Sequence, residues 1–300
     1  MESRFKLTDF FSNDEVLQNC EFSSLGILDS NYEQSMLSFI EEEKYFSKLI
    51  NNKNIVAVIT VKKMAEKLKK MGFGVVVKED PRISFFLLHN ELSGNNKYVR
   101  KEYKTIIGNN CSISPLSYVS PVNVFIGDNV IIEEFVSIKE NTTIGDNSII
   151  RAGTIVGGNG FEMKKVRDEV FSIKHLGGTK IGKNVEIQYN CTIDRAIYPW
   201  DDTVIEDYSR LDNLIHIGHA AKIGRRVIMP AQSVIGGRTI IEDDAWIGIG
   251  AVVRNGLKIG KNARCNMGAV VTKNVKNDEA VSGNFAIDHK RFIEKMKKGN

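Results

Sequence analysis

The chain has 300 residues, 42% of them hydrophobic, and its 41 Lys plus Arg against 37 Asp plus Glu leave a formal net charge of +4. This composition suffices for a sizeable core and for two domains. Because charges of both signs are scattered along the chain, neither a nucleic-acid-binding stripe nor an acidic tail is indicated.

The N-terminus and the cysteines indicate the compartment. Residues 1–5 lack the basic-then-apolar pattern of a leader, and no apolar run reaches the roughly 18 residues that a membrane span needs. We therefore expect a cytoplasmic protein with no membrane span. The cysteines are far apart and lack zinc-site spacing, so we expect reduced thiols, no metal site and no permanently bound cofactor. They are Cys20, Cys111, Cys191 and Cys265.

Residues 1–100 show no repeat and predict a small α/β domain. Strand-like runs alternate with helical ones there. The predicted strands are Met36–Ile40, Ile55–Ile59 and Val75–Val77, and the predicted helices are Glu42–Ile50 and Lys62–Met71.

Residues 101–276 carry an internal repeat of six. From Ile181 to Val271 every sixth residue is a branched aliphatic or Met, except Pro199 and Cys265. An earlier run with the same step occupies residues 126–156, and a shorter one precedes it after a slip of one residue. A Gly often follows the aliphatic position, and a small residue often stands two places before it.

A period of six fits neither a helix nor a hairpin meander, but it fits short strands joined by tight turns. We expect Gly, Asn and Asp to form those turns because they tolerate positive φ. Three strands would form one coil of a three-sided prism, and each coil would hydrogen-bond to the next at a spacing of about 4.8 Å. The sequence therefore predicts a mainly β fold, a parallel β-solenoid of about eight coils.

Two segments interrupt the repeat. The step breaks between Val156 and Ile181, which predicts a loop thrown out from the solenoid, and Pro199-Trp200 predicts a second bulged loop. Residues 277–300 form the tail, in which Phe285–Lys298 has the spacing of a short helix.

The six-residue register resembles the hexapeptide-repeat acyltransferases, and this resemblance implies a left-handed β-helix, a homotrimer and active sites in clefts between subunits. More specific stretches are similar to the UDP-3-O-acylglucosamine N-acyltransferases of lipid A synthesis. They are 157–161, 177–182, 192–196, 201–207, 211–214 and 217–219.

The N-terminal domain extends the resemblance. Phe39 and Tyr45, six residues apart, resemble the aromatic pair that holds the uracil ring in that family. The resemblance implies a nucleotide site here, since aromatic faces can stack on a base. Core packing is the alternative, more so for Phe39 than for Tyr45.

The chain also departs from that family. His216 stands where the family has Gln, and Ala220 stands where it has Asn. Residues 271–275 and 280–286 resemble the endings of coenzyme A-dependent sugar acetyltransferases instead. This combination of two family resemblances favours an acyl-CoA donor and a UDP- or dTDP-linked amino sugar. An acyl carrier protein donor and a lipid A substrate remain the alternative.

The chemistry of acyl transfer to an amine needs a base, an oxyanion donor and a site that holds both substrates. His219 is the predicted base, since it follows the inward Ile217 by two residues and lies at a solenoid corner. Asp212 is its predicted partner, across a subunit interface if at all. Gly237 lies one coil after His219, and the family resemblance implies that its N–H is the oxyanion donor; an ordinary turn glycine is equally consistent with the pattern.

Steps of one 18-residue coil from His219 give Gly237, Asn255 and Lys273, which predicts a line along the solenoid that the acyl donor could follow. Gly237, Ala251 and Lys273 are predicted to contact the acyl donor, with Lys273 near a phosphate. His216 is predicted to hydrogen-bond the sugar, although a solvent-exposed His fits as well. Two other classes stay open: a scaffold without activity, and a sugar O-acetyltransferase. A metal-dependent relative would need three convergent histidines, and the spacing of the five in this chain does not provide them.

Overall fold

The computed structural model describes residues 4–283 and 286–298, and the chain divides into two compact units. The N-terminal unit holds the chain up to Glu102 together with Asn159–Gly177 and Ala196–Asp201. The solenoid unit holds Tyr103–Gly158, Gly178–Arg195 and the chain from Asp202 onward. The two segments that interrupt the repeat therefore belong to the N-terminal unit, although the sequence analysis grouped them with the solenoid.

The N-terminal unit is built on a five-stranded sheet with helices, as the sequence predicted. Its strands, in spatial order, are Val16–Gln18, Gly74–Val77, Ile55–Thr60, Met36–Ile40 and Ser24–Leu25, and the first pair alone is antiparallel. A separate antiparallel pair joins Phe5–Lys6 to Glu21–Phe22. The α-helices are Phe46–Asn51, Lys62–Lys70 and Pro81–Leu92, and 3-10 turns span Leu7–Asp9 and Glu43–Tyr45.

Helix Pro81–Leu92 was missed by the sequence analysis, although its start signal is present. The Asp80 carboxylate accepts a hydrogen bond from the Ile83 N–H at 3.0 Å, and Pro81 occupies the first turn. Both features are typical of a helix N-terminus. Its buried residues include Phe85 and Leu88.

The first interrupting segment forms a hairpin, Met163–Val166 with Glu169–Ser172. The buried His89 ring connects it to helix Pro81–Leu92, because one ring nitrogen lies 2.8 Å from the Lys174 carbonyl and the other 2.9 Å from the Tyr98 hydroxyl. This contact holds the chain directly after the hairpin against the helix, within the N-terminal unit.

The solenoid unit contains three parallel sheets, one on each face of the prism. The face that contains His216 is called the histidine face. It comprises Tyr118–Val119, Ser137–Ile138, Ile155–Gly158, Thr192–Asp194, His216–Ile217, Val234–Ile235, Val252–Val253 and Val270–Val271. The second face comprises Ile106–Ile107, Val124–Ile126, Thr142–Ile144, Gly178–Ile181, Asp202–Ile205, Lys222–Ile223, Ile240–Ile241 and Lys258–Ile259. The third face comprises Ser112–Ile113, Ile131–Ile132, Ile149–Ile150, Glu186–Ile187, Arg210–Leu211, Ile228–Met229, Trp246–Ile247, Arg264–Cys265 and Ala280–Val281.

The predicted inward positions form the core of this unit. Ile217, Ile235 and Val253 pair in register on neighbouring coils, and all three are buried. Cys191 and Cys265 pack in this core as small apolar residues, since both are buried free thiols, and burial raises the pKa of each to about 11. The fold is a left-handed parallel β-helix of the predicted kind.

The predicted turns with positive φ at Asn, Asp and Gly are confirmed at the corners, for example at Asp244 and Gly250, but the glycines directly after the aliphatic positions serve a different purpose. Gly236 does not adopt positive φ; a β-carbon there would lie 2.4 Å from the backbone nitrogen of Asn255, on the next coil. Positive φ falls instead two residues further along, at the corners. Asn129 and Asn147 adopt it there, and so do Leu214 and Ala220. The Gly is therefore selected by the close approach of coils rather than by turn geometry.

The solenoid extends into the predicted tail, because Ala280–Val281 pairs with Arg264–Cys265 on the third face, and helix His289–Lys298 follows as predicted. The predicted start of this helix, Phe285, lies outside the described residues. Across the described ranges, no helix combines the length and apolar content of a membrane span. Those same residues hold no cluster of side chains suited to a metal ion.

The core is tested by two neighbouring isoleucines of one strand. Ile241 is 1% exposed and Ile240 is 45% exposed. Ile241→Ala should lower the free energy of unfolding by about 2–5 kcal/mol because it leaves a cavity, whereas Ile240→Ala should change it by less than about 1 kcal/mol. Denaturant unfolding measures both; equal losses would contradict the inward assignment.

The buried His89 predicts a pH dependence of stability. Burial lowers the pKa of His89 to about 4, below the ordinary value of 6.5. As pH falls below 6.5, the unfolded chain therefore takes up a proton that the folded chain refuses, and stability falls by up to about 1.4 kcal/mol per pH unit until about pH 4. His89→Gln should show a shallower decline between pH 7 and 5 in urea unfolding followed by fluorescence. A slope identical to that of the unsubstituted chain would count against this assignment.

Candidate active site

His219 lies at a corner of the prism, directly after the histidine face. It follows strand His216–Ile217, which pairs with Thr192–Asp194 on the coil before and Val234–Ile235 on the coil after. Ile217 faces the core and anchors the strand, while the His219 side chain is half-buried. The corner therefore presents an imidazole on a rigid backbone, which suits a group that must hold a fixed orientation.

Gly237 provides the space that the imidazole occupies. A β-carbon at Gly237 would lie 2.7 Å from Nε2 of His219, too close for a real contact. The Gly237 N–H donates no hydrogen bond to any group in the described part of the chain. Strand register also places residues 219, 237, 255 and 273 two positions beyond successive paired strands, as the 18-residue step predicted.

Asp194 is a site residue that the sequence analysis missed. Its side chain is largely buried, and its Oδ2 lies 3.7 Å from Nε2 of His216. Burial raises the pKa of Asp194, an effect partly offset by the charges of His216 and His219. The negative charge of a carboxylate stabilises the protonated, positively charged form of a nearby imidazole. The signal was present in residues 192–196, which entered the family resemblance without a role for Asp194.

His216 is held by two neighbours. Its Nδ1 lies 2.9 Å from the Thr192 hydroxyl, in addition to the contact with Asp194. Its side chain is 41% exposed. The ring is therefore oriented yet accessible, in keeping with the predicted contact to a sugar.

Asp212 lies on the third face, away from this cluster. Its carboxylate accepts hydrogen bonds from the backbone N–H groups of Asn213 at 2.8 Å and Ala231 at 3.2 Å. These bonds give the side chain a structural role at its own corner. A partnership with His219 across a subunit interface stays a prediction.

Two of the predicted acyl-donor contacts differ from each other. Ala251 is fully buried in the solenoid core, so its methyl group cannot touch a bound substrate, and this prediction is wrong for the side chain. Ala251 occupies the small position of the repeat, two residues before the inward Val253, and this place in the repeat explains why it is buried. Lys273 is exposed and lines an open cavity of about 400 Å³ near the end of the solenoid.

The predicted uracil pair lies in the N-terminal unit. The Phe39 ring packs against Phe85 and Phe86, with centroids 5.1 and 6.1 Å apart. This is the core packing given above as the alternative. Tyr45 is 38% exposed, with the Lys44 ammonium 4.9 Å from its ring centre, so its ring is available to a ligand.

The repeat itself matches known families. "Bacterial transferase hexapeptide (six repeats)" matches residues 123–158, and "Hexapeptide repeat of succinyl-transferase" matches residues 238–273. Two segments of the solenoid thus match hexapeptide-repeat families, and the predicted resemblance to acyltransferases of this class is confirmed.

Among curated proteins, the chain is similar to UDP-3-O-acylglucosamine N-acyltransferases. It is 34% identical to that of Delftia acidovorans over 144 residues, which is 48% of this chain and 42% of the relative. It is 46% identical to that of Rickettsia akari over 92 residues, 31% of this chain and 26% of the relative. The chain therefore spans less than half the length of these curated relatives.

Solved structures with the same fold include two UDP-N-acetylglucosamine acyltransferases. The one from Campylobacter jejuni has a TM-score of 0.53 at 24% identity, covering 60% of this chain and 68% of its own. The one from Bacteroides fragilis has a TM-score of 0.51 at 27% identity, covering 59% of this chain and 66% of its own. Both confirm the solenoid fold.

Gly237→Ala tests whether this glycine makes room for the imidazole. We expect the added methyl group to displace the His219 ring, because the two cannot share the space. The ring signals of His219 in a nitrogen-correlated NMR spectrum should shift, while those of His289 in the terminal helix stay in place. Unchanged His219 signals in a folded variant would contradict the packing.

Proposed function

We propose that the protein is an N-acyltransferase that moves an acyl group from a thioester, with acyl-CoA favoured, to the amine of a nucleotide-linked amino sugar. The observation that carries the proposal is the geometry at one corner, where the His219 ring lies against Gly237 and occupies the space that a β-carbon there would take. The names of the curated relatives support the amine acceptor and a UDP-linked sugar.

His219 acts as the general base in this mechanism. Its imidazole accepts a proton from the sugar amine as the nitrogen attacks the thioester carbonyl, so that a C–N bond forms. The Gly237 N–H, which has no partner in the described chain, donates to the oxyanion. When the C–S bond breaks, the imidazolium returns the proton to the leaving thiolate.

Asp194 assists this proton transfer electrostatically. The carboxylate is largely enclosed by protein and lies close to the imidazoles of His216 and His219. Its negative charge stabilises the imidazolium that forms during the reaction. In this role Asp194 is a positioning residue within the same subunit, and the predicted contribution of Asp212 from a neighbouring subunit stays a separate prediction.

A homotrimer supplies the rest of the site in this proposal. A ridge of large apolar side chains lies exposed along the corner that precedes the histidine face, and six of the eight coils that carry a strand of this face contribute to it. Exposed apolar stripes of this kind are typical of interfaces. The ridge comprises Leu116, Phe135, Tyr189, Leu214, Ile249 and Met267. A second copy of the chain that covers the ridge would bring its own surface towards the histidine face.

The acceptor and donor are tested by mass spectrometry of reactions with UDP- and dTDP-amino sugars, with their hydroxy counterparts, and with acyl-CoA or acyl carrier protein. We expect N-acylated product from an amino sugar and acyl-CoA. Product from the hydroxy sugars alone would favour an O-acyltransferase, and no product from any acceptor would contradict the proposal.

The base is tested by His219→Ala. We expect kcat/KM to fall by about 10²–10⁴, because proton removal by a positioned base contributes that much. His289→Ala, an exposed histidine in the terminal helix, should retain full activity. Equal activity of both variants would rule out His219 as the base.

A further inference from the structure

Arg238, one coil beyond His219, is half-buried, and one nitrogen of its guanidinium is buried without an acceptor among the described residues. Arg238 follows Gly237, and its backbone N–H donates to the His219 carbonyl at 2.8 Å. Its Nη2 atom is buried and has no hydrogen-bond acceptor among the described residues. Leaving such a donor unpaired away from water is costly, so proteins seldom do so without a reason.

A second arginine in the same backbone conformation shows what is missing. Arg226 has φ 56° and Arg238 has φ 58°. The Arg226 guanidinium donates two hydrogen bonds to Asp244, at 2.6 and 2.8 Å, one coil further on. The corner positions one coil before and after Arg238 are Ala220 and Gly256, which carry no charge. Arg238 therefore lacks the carboxylate that its counterpart has.

The position of Arg238 identifies the substrate that would supply the charge. The acceptor amine must lie within hydrogen-bond reach of His219, so groups beside that corner contact the acceptor. The acyl donor also reaches this corner, but with its uncharged thioester end. An anion at Arg238 therefore belongs to the acceptor.

We infer that Arg238 binds an anionic group of the acceptor and thereby sets the sugar amine at His219; this inference rests on the proposed function. The group is either the diphosphate of the nucleotide or a carboxylate on the sugar ring. Both present paired oxygens that match the planar guanidinium fork. An uncharged amino sugar should accordingly be a poor substrate.

Kinetics of Arg238→Gln test this role. The KM for the acceptor should rise about 10- to 100-fold, as expected for the loss of a charge-assisted bidentate contact, while the KM for the acyl donor stays constant. Arg238→Lys should recover part of the loss, because it keeps the charge but not the fork. Arg226→Gln is the matched control and should leave both KM values unchanged. A constant acceptor KM in folded Arg238→Gln would overturn the inference.

Binding separates the two sources and does not depend on turnover. By calorimetry, UDP and inorganic pyrophosphate should bind the unsubstituted chain more tightly than Arg238→Gln if the diphosphate is the ligand, and uridine should not distinguish them. If UDP binds both equally, Arg238→Gln must instead raise the KM of a carboxylate-bearing acceptor, and failure of both overturns the inference. Arg238-dependent UDP binding by a chain that acylates no amino sugar would refute the proposed function but leave the anion site standing.

Discussion

The structure depends on one constraint, the parallel hydrogen bonding of each coil to the next. Thr192, His216 and Val234 pair in register on three successive coils, and the same register continues along the face. Because backbone groups pair between coils, a residue's position around the prism is fixed by its position in the repeat. A functional side chain at a corner therefore has a set direction without help from a flexible loop.

The same constraint explains why glycines surround the site. Coils at this spacing leave no room for a β-carbon at Gly236, and the space at Gly237 is taken by the His219 ring. One glycine thus serves packing and the next one serves the site. Arg238, directly after them, carries a charge into a position where its neighbours on adjacent coils have none. The predicted base, His219, therefore lies at one corner. The N–H of Gly237, free among the described residues, and the cation of Arg238 lie at the same corner of the next coil.

The period made most of the solenoid predictable, because it records which side chains point inward. Ile217 and Cys265 were assigned to the core on that basis, and both are buried. Contacts between residues distant in sequence were not predictable. The role of Asp194 depends on His216, which lies 22 residues later in the sequence. The interrupting segments pack within the N-terminal unit through residues such as His89. Ala251 was assigned to a substrate contact even though its own place in the repeat points into the core.

The central claim is that the acceptor amine meets Nε2 of the His219 ring, which lies against Gly237. A crystal structure of the protein with a bound nucleotide amino sugar measures this directly. The account predicts the amine nitrogen within hydrogen-bond distance of Nε2. An amine bound elsewhere, with that ring nitrogen turned into the protein, would contradict it.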